Sequence, residues 1–184
     1  MTIPNALVRD AVQNDIAACL ALDHSYSTDY VWQMTIMPDM TGSQIRFRKE
    51  RLPRAIEATY DITNERLQSA LPEDTCFLIL QHKDSDNGVI GYLTMRHDTI
   101  HKIALVQNVV IDKPYRRMKL GSRLISIARR WALEHEAVQL MLETQTQNFP
   151  AIAFCQRQGL TFCGFNDQYY RNQDIAIFFG QALR

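Results

Sequence analysis

The amino-acid sequence predicts an α/β (α+β) protein with a mixed, mostly antiparallel sheet of about seven strands flanked by helices. The length of 184 residues suits one domain spanning 1–184, because one domain takes roughly 150 residues. Hydrophobic residues make up 46% of the chain and charged residues 22%, ordinary values for a protein with a buried core. A run of successive strand patterns precedes an alternation of strand and helix patterns, which predicts antiparallel strands followed by a crossover between two parallel neighbours.

The first part of the chain, residues 1–75, carries the weaker structural signals. An apolar run from Ala6 to Val8 predicts a strand, and apolar residues at helical spacing after Asn14 predict a helix. Residues from about His24 to Pro72 are aromatic-rich and less regular. We expect a second helix, a strand and connecting loops in that segment.

The second part, residues 76–184, alternates between clear strand and helix patterns. Strands are predicted over Cys76–Leu80, Val89–Arg96, Ile103–Ile111, Val138–Thr144, Leu160–Phe165 and Asp174–Leu183, and helices over Leu120–Glu136 and Asn148–Gln158. The polar segment Asp84–Gly88 predicts a turn that joins the first two of these strands into a hairpin. The helix from Leu120 is amphipathic and lies between the two strands expected to be parallel.

Composition and charge exclude several classes of function. Lys and Arg number 20, as do Asp and Glu, so the formal net charge is zero and nothing general favours nucleic acid or an anionic membrane. No apolar run approaches the ~18 residues of a spanning helix, and the N-terminus lacks a secretory signal. The four cysteines are far apart, which is typical of reduced thiols in a cytoplasmic protein. His97 and His101 lack a third ligand, so we expect no metal.

The most informative segment is a basic turn between a strand and the amphipathic helix, Val109-Val-Ile-Asp-Lys-Pro-Tyr-Arg-Arg-Met-Lys-Leu-Gly-Ser-Arg-Leu124. Such a turn directs unpaired backbone N–H groups outward at the positive end of the helix dipole, which favours phosphate binding. Arg116, Arg117 and Lys119 add positive charge there, and Gly121 lets a ligand approach the backbone. The alternatives are a solvated basic helix start and a nucleic-acid patch, the latter without the interleaved aromatic residues that would support it.

Two motifs in this half of the chain resemble the GNAT superfamily of acyl-CoA-dependent N-acyltransferases. Arg116-Arg-Met-Lys-Leu-Gly121 is similar to the family's Gln/Arg-x-x-Gly-x-Gly/Ala, with Lys119 where the first glycine is usual. Asn148-Phe-Pro-Ala-Ile-Ala-Phe-Cys155, followed by Gly159-Leu160, is similar to the family's Asn-x-x-Ala-x-x-Phe-Tyr-x-x-x-Gly-Phe. Both stand in the family's order and spacing. A narrower resemblance, carried by Leu140–Gln145 and nearby residues, is to streptothricin acetyltransferases.

The resemblance implies a co-substrate, acetyl-CoA, and the residues that would bind it. In the family's fold two parallel strands part around a central cleft, which accepts the pantetheine arm as a surrogate strand. Carried onto this sequence, the co-substrate residues are Val109, Val110, Ile111, Arg116, Arg117, Met118, Lys119, Leu120, Gly121, Ser122, Asn148 and Phe154. Residues 76–184 would then form the acetyl-CoA-binding core, and residues 1–75 the acceptor side.

The resemblance also implies acetyl transfer to a primary amine, by direct transfer in a ternary complex. An alkylammonium with a pKa of about 10 must lose a proton before it attacks, and the leaving thiolate can gain one. The candidate base is Glu143, whose alternatives are binding a substrate cation and facing water. Cys155 stands where the family carries the tyrosine that acts as general acid, so it is a candidate proton donor to the thiolate. Tyr169 or Tyr170 could donate the proton instead, and Cys155 would then be a packed core residue.

The acceptor is expected to be a small amine, which is streptothricin-like under the narrower resemblance. Aromatic faces and a carboxylate suit an ammonium group, so Asp29, Tyr30 and Trp32 are acceptor candidates, with core packing and a helix cap as the alternative. Gln107 and Asn108 stand where members of the family often carry a carboxylate, and their amides can bind a substrate but cannot take its proton. Two other functions stay open, acetylation of a protein N-terminus or lysine and a non-catalytic CoA-binding module. We expect a cytoplasmic monomer or homodimer.

Overall fold

A computed structural model of the chain describes residues 5–72, 74–83, 88–170 and 172–184. Within these ranges the strands are β1 (Ala6–Asp10), β2 (Ser25–Asp39), β3 (Gly42–Thr59), β4 (Thr75–His82), β5 (Val89–Asp98), β6 (Ile103–Ile111), β7 (Gln139–Gln145), β8 (Thr161–Asn166) and β9 (Ala176–Ala182). The helices are α1 (Asp15–Leu20), α2 (Asn64–Gln68), α3 (Leu120–Glu134) and α4 (Phe149–Arg157), and a 3-10 turn covers Lys113–Tyr115. The predicted turn at Asp84–Gly88 lies outside the described residues except for Gly88.

Seven strands form one mixed sheet in the order β1-β4-β5-β6-β7-β9-β8, and β2 pairs with β3 in a separate hairpin. β1, β4, β5 and β6 pair antiparallel in succession. β6 and β7 pair parallel, with Ile103–Val106 against Gln139–Leu142, and α3 connects these two strands. The predicted mixed sheet of about seven strands, with its parallel pair and flanking helices, is confirmed.

The chain divides into two compact units, one formed by residues 1–24, 60–142 and 180–184, and the other by residues 25–59 and 143–179. The core of the first unit includes apolar side chains from α1, α2, β4 and β5: Ile16, Cys19, Leu67, Ala70, Phe77, Ile79 and Tyr92. The expected single domain, with its halves meeting near residue 75, stays a prediction.

Helix α3 packs on the sheet of the first unit through one apolar stripe. Leu124, Ala128 and Ala132 recur every fourth residue and are fully buried, and they face β4, β5 and β6. This helix has 15 residues, and no helix in the part of the chain that the structure describes has both the length and the hydrophobicity to cross a bilayer.

The second unit begins with a long hairpin where the sequence predicted a helix, one strand and loops. β2 and β3 run antiparallel from Ser25 to Thr59, closed by the register pair Asp39 and Gly42. The expectation for this segment is therefore wrong over residues 25–59, although the second helix is found afterwards as α2. Alternation of apolar and polar residues from Tyr30 to Ile36 is a period-two pattern that favours a strand, and Tyr30, Trp32 and Met34 on its apolar face are half-buried.

An aromatic cluster holds the inner face of the hairpin within the second unit. Trp32 of β2 has its ring centroid 6.0 Å from that of Phe47 on β3 and 5.6 Å from that of Phe179 on β9. Phe47 also lies 5.1 Å from Phe162 and 5.7 Å from Phe165, both on β8. Tilted and edge-on ring pairs at these separations add to the energy of apolar burial. The hairpin is therefore fixed against β8 and β9 by rings distant in sequence.

Candidate functional site

The basic turn between β6 and α3 contains two non-glycine residues in the left-handed backbone conformation. Lys119 has φ 62° and ψ 9° and is the N-cap residue of α3, and Arg117 has φ 67°. Glycine adopts this conformation without steric cost, whereas an L side chain raises its energy. Lys119 occupies the motif position where glycine is usual, and its backbone takes the conformation that glycine there would favour.

The first turn of α3 has no side-chain cap and no acidic residue. Its backbone N–H groups therefore sit at the positive end of a four-turn helix without a carboxylate to offset it. Arg117 and Lys119 are exposed beside this end of the helix, whereas the side chain of Leu120 is buried in the core. A diphosphate is the kind of ligand that this combination of N–H groups and cations favours.

Arg116 stabilises the basic turn by donating hydrogen bonds to main-chain carbonyl oxygens. Its Nε donates to the carbonyl oxygen of Ile111 at 2.8 Å, and its guanidinium also donates to the carbonyl of Asp23 and lies 3.5 Å from the Asp23 carboxylate. Asp112 completes the link because its carboxylate accepts the backbone N–H of Asp23 at 3.0 Å. The predicted co-substrate residue Arg116 is thus tied to the protein's own carbonyls, and the charges directed to solvent are those of Arg117 and Lys119.

Strand β6 pairs with β5 on both sides of Gln107, but its register with β7 ends before that residue. The register with β7 covers Ile103–Val106, and the next residues, Asn108–Ile111, pair with β5. Gln107 is an extra residue in the β5–β6 ladder, a bulge of the kind that redirects neighbouring side chains. Of the predicted co-substrate residues, Val109, Val110 and Ile111 are half-buried on this segment.

Asn108, a predicted acceptor residue, is buried beside β5. Its Nδ2 donates to the Thr94 hydroxyl at 2.5 Å, and its Oδ1 has no hydrogen-bond partner among the described residues. A buried acceptor without a partner is unfavourable unless a ligand or water supplies the missing donor. Asn108 therefore has one polar atom committed to the fold and one that a bound molecule could use.

In the second unit, the predicted base Glu143 is paired with a tyrosine. Glu143 lies on β7 with 6% of its surface exposed, and its carboxylate accepts a hydrogen bond from the hydroxyl of Tyr169. The Tyr169 ring packs edge-on against Tyr170, at 5.1 Å between centroids, and against Phe178 of β9, at 5.5 Å. The structure thus brings Glu143 and Tyr169 together, with Tyr170 beside them.

Helix α4 carries the second motif. Asn148 is its N-cap, and the Oδ1 of Asn148 accepts the Ala151 N–H at 3.1 Å, which is the usual capping bond. Phe154 is half-buried, and Cys155 on the same helix is fully buried. Burial raises the pKa of the Cys155 thiol to about 12. These surroundings favour the packing interpretation of Cys155, because the thiol has no contact with solvent.

The three predicted acceptor residues on β2 have different surroundings. Trp32 belongs to the aromatic cluster, and Asp29 is an exposed residue skipped by the β2–β3 register. Tyr30 instead packs against Phe149 of α4, at 5.5 Å between centroids, and the Lys49 ammonium lies over both rings. Lys49 and Phe149 were missed as site residues. Phe149 directly follows Asn148 of the motif, which was visible in the sequence, whereas Lys49 lies opposite Trp32 only in the hairpin register that the structure shows.

Metal binding finds no support in the described residues. Within residues 5–72, 74–83, 88–170 and 172–184, no three His, Cys, Asp or Glu side chains come together as a metal site requires.

Comparison with known proteins identifies the family and the fold. The model of the acetyltransferase (GNAT) family matches residues 44–160. Streptothricin acetyltransferase A of Bacillus subtilis (strain 168) is 31% identical over 97 residues, covering 50% of this chain and 56% of that protein. The chain spans about half the length of the curated streptothricin acetyltransferases it matches.

Two solved structures share the fold over nearly the whole chain. Nourseothricin acetyltransferase superposes with a TM-score of 0.83 at 21% identity, covering 97% of this chain and 99% of its own. A Bacillus anthracis str. Ames protein assigned to the streptothricin acetyltransferases, solved in complex with acetyl coenzyme A, gives a TM-score of 0.76 at 22% identity and covers 100% of both chains. At these identities the likeness shows a common fold.

Proposed function

The chain belongs to the acetyltransferase (GNAT) family, and on that premise we propose that it is an N-acetyltransferase that moves the acetyl group of acetyl-CoA to a primary amine within a ternary complex. The single observation that carries this proposal is the turn before α3, where Lys119 takes the left-handed conformation at the glycine position of the family motif. That conformation preserves the backbone geometry of an anion site although the side chain differs.

We assign the co-substrate diphosphate to the uncapped first turn of α3. Backbone N–H groups of Leu120, Gly121 and Ser122 would donate to it, and the Met118 backbone would stand beside them. Arg117 and Lys119 would add charge from their exposed positions. Arg116 would act indirectly, since its bonds to Ile111 and Asp23 hold the turn in place.

We assign the pantetheine arm to the segment of β6 beyond the bulge. Backbone groups of Val109, Val110 and Ile111 would pair with the arm's amides, which is the way an added strand binds a sheet edge. The support is that the register with β7 stops at Val106. In the second unit we keep Asn148 and Phe154 as proposed co-substrate residues because of the family motif; Asn148 would donate from its Nδ2, since its Oδ1 already caps α4.

We assign the proton transfers to Glu143 and a tyrosine. The Glu143 carboxylate would accept the proton of the acceptor ammonium, the amine nitrogen would bond to the acetyl carbon, and the carbon–sulfur bond would break. Tyr169 would donate a proton to the departing thiolate and regain one from the acetylated nitrogen, which still carries a second proton of the amine; Tyr170 is the neighbouring alternative. The support is the hydrogen bond from Tyr169 to Glu143, and the full burial of Cys155 makes that thiol a weaker candidate for the same role.

The proposed acceptor class is supported by two of the curated relatives and by the cation-binding rings. Two of the curated relatives are named streptothricin acetyltransferases, which favours a small molecule that carries amino groups. In the first unit we keep Gln107 and Asn108 as proposed acceptor residues through their amides, and in the second unit Tyr30 through its aromatic face. We also propose a cytoplasmic monomer or homodimer, a location supported by four free cysteines in the described chain.

The test is a CoA-release assay on the purified protein with acetyl-CoA and three acceptor classes: streptothricin-like amines, aminoglycosides and peptides with a free N-terminus. We expect free-thiol release with small amines, together with an acetylated product by mass spectrometry. Release with peptides alone would move the assignment to protein acetylation. Tight CoA binding without release over the whole panel would make the protein a binding module and overturn the enzyme assignment.

A further inference from the structure

Two aromatic rings in the second unit hold an ammonium group of the protein itself. Tyr30 of β2 and Phe149 at the start of α4 stand 5.5 Å apart between centroids, with their planes tilted by 50°. The Nζ atom of Lys49 lies 3.9 Å from the Tyr30 centroid and 4.4 Å from the Phe149 centroid. Both distances are inside the ~6 Å range over which the face of a ring attracts a cation. The two rings are therefore a formed site for an ammonium group.

Lys49 is an exchangeable occupant of this site. It is exposed, and the structure pairs it with no carboxylate among the described residues. Its ammonium stands on a flexible stem of four carbons, and water solvates that group strongly when it leaves the rings. The cation–π attraction at an exposed site corresponds to roughly a 2- to 5-fold preference, which a free amine can overcome by concentration or by additional contacts.

The ring pair is connected to the segment that carries Glu143. The backbone N–H of Trp32, two residues after Tyr30, donates to the carbonyl of Thr146 at 2.9 Å. Phe149 follows Glu143 by six residues, which limits their Cα separation to about 20 Å. Both the ring pair and the Glu143–Tyr169 pair belong to the same compact unit. A molecule with two amino groups could thus place one on the rings while the other is acetylated.

We propose that Tyr30 and Phe149 form a subsite for a second ammonium group of the acceptor, which Lys49 occupies in the free protein and vacates on binding. This inference rests on the proposed function for the identity of the acetylated amine. It names the substrate class as di- or polyamines rather than monoamines. Lys49 is then an internal competitor of the substrate, and its removal strengthens acceptor binding.

The first test observes Lys49 directly and needs no turnover. In protein labelled with carbon-13 at the lysine ε position, the Lys49 resonance is identified by its loss in Lys49→Met. We expect ring currents to shift it upfield, and saturating cadaverine to return it to the ordinary lysine position, whereas pentanol leaves it unchanged. A Lys49 resonance that stays upfield at saturating cadaverine would overturn the subsite, whether or not the protein acetylates anything.

The second test compares the KM of cadaverine with that of pentylamine. Lys49→Met should lower the ratio of these KM values by about 2- to 5-fold, since the competing ammonium is gone, and Phe149→Leu should raise it by a similar factor. The matched control is Arg46→Met, an exposed cation on the same strand, which should leave the ratio unchanged. An unchanged ratio in both Lys49→Met and Phe149→Leu, with folding confirmed by thermal unfolding, would contradict the proposal.

Discussion

Lys119 departs from the family motif in its side chain but keeps the backbone conformation that a glycine there would favour, and Arg117 shares that conformation. Their φ values of 62° and 67° lie where a non-glycine residue costs about 1–2 kcal/mol. Strained backbone persists where the surrounding structure holds it, and such positions gather at ligand sites. Arg116 provides that hold through its bonds to Ile111 and Asp23. Two buried carboxylates are also paired, Glu143 with Tyr169 in one unit and Asp15 with Arg9 in the other.

Replacement of Glu143 by glutamine tests the assigned base. Glu143→Gln retains the size of the side chain and an oxygen for the Tyr169 hydroxyl but cannot take a proton, so kcat should fall by about 10²- to 10⁴-fold. Acetyl-CoA affinity, measured by calorimetry, should change little. The matched control is Glu134→Gln, an exposed glutamate near the end of α3, which should keep full activity. Wild-type turnover in Glu143→Gln would exclude Glu143 as the base.

We predict that the Arg9–Asp15 ion pair makes a pH-dependent contribution to the free energy of unfolding. Two guanidinium nitrogens of Arg9 bond the two carboxylate oxygens of Asp15 at 2.7 and 2.8 Å, and the Val12 N–H adds a third bond. The Arg9 guanidinium holds the pKa of Asp15 below its usual 3.8. The folded state therefore favours the ionised carboxylate, so this stabilisation is complete above the unfolded pKa and disappears as pH falls through the folded pKa.

Urea unfolding of the Asp15→Asn variant measures the contribution of this ion pair to the free energy of unfolding. We expect the variant to lose about 2 kcal/mol of unfolding free energy near neutral pH, since hydrogen bonds to a charged group contribute roughly 1.5–3 kcal/mol. The gap between variant and wild type should narrow below about pH 4. Glu136→Gln, at an exposed glutamate, serves as the control. A gap that is constant down to the acid unfolding range would show that the pair's charge does not stabilise the fold.

At the scale of elements, the β5–β6 ladder sets the geometry of the proposed co-substrate segment. The bulge at Gln107 ends the shared register with β7, and Asn108–Ile111 then depend on β5 alone for pairing. Gly91 of β5 makes this close pairing possible, because a Cβ at that position would lie 2.6 Å from the carbonyl oxygen of Val110 and 2.7 Å from Ile111 Cδ1. At Gly91 the backbone of β6 therefore lies closer to β5 than a Cβ at that position would allow.

Gly91→Ala tests this close approach. The added methyl group must displace the β6 backbone, and we expect a loss of about 1–3 kcal/mol in unfolding free energy. The same displacement should raise the KM for acetyl-CoA, because the shifted residues are those assigned to the pantetheine arm. Gly164→Ala on β8 is the matched control, since a Cβ there meets nothing within 4 Å. Equal stability of the two variants would show that β6 moves without cost.

At the scale of the whole molecule, the four cysteines are free thiols, and burial protects most of them from reaction with thiol reagents. Cys19, Cys76 and Cys155 are buried, and burial raises the pKa of each thiol to about 12. Cys163 is exposed. Only a thiolate reacts rapidly with a disulfide reagent, so the buried thiols are inert while the protein is folded.

Thiol titration measures this protection. We expect an aromatic disulfide reagent to label Cys163 quickly in the native protein and to reach the three buried cysteines only after unfolding in denaturant. Cys163→Ser should then show almost no native labelling, which also makes it the suitable background for a CoA-release assay. Fast labelling of a second cysteine in that variant would show that the fold opens locally around it.

Much of the fold was predictable because it depends on short-range patterns. β6 was predicted at its observed bounds, and α3 and α4 within two residues, since alternation and helical spacing report on residues close in sequence. The hairpin of residues 25–59 was missed because its period-two pattern is interrupted by charges and prolines, and its stability comes from rings on β8 and β9 more than 100 residues away.

The sequence by itself determined the family, through two motifs in order, and with it the expectation of an acyl-CoA site at the start of α3. Only the tertiary structure decided which tyrosine contacts Glu143, that Cys155 is sealed in the core, and that Lys49 lies on the rings of Tyr30 and Phe149. The physical reason is that backbone preferences and periodicity act over a few residues. Contacts between side chains 26 or 100 positions apart depend on how the whole chain packs.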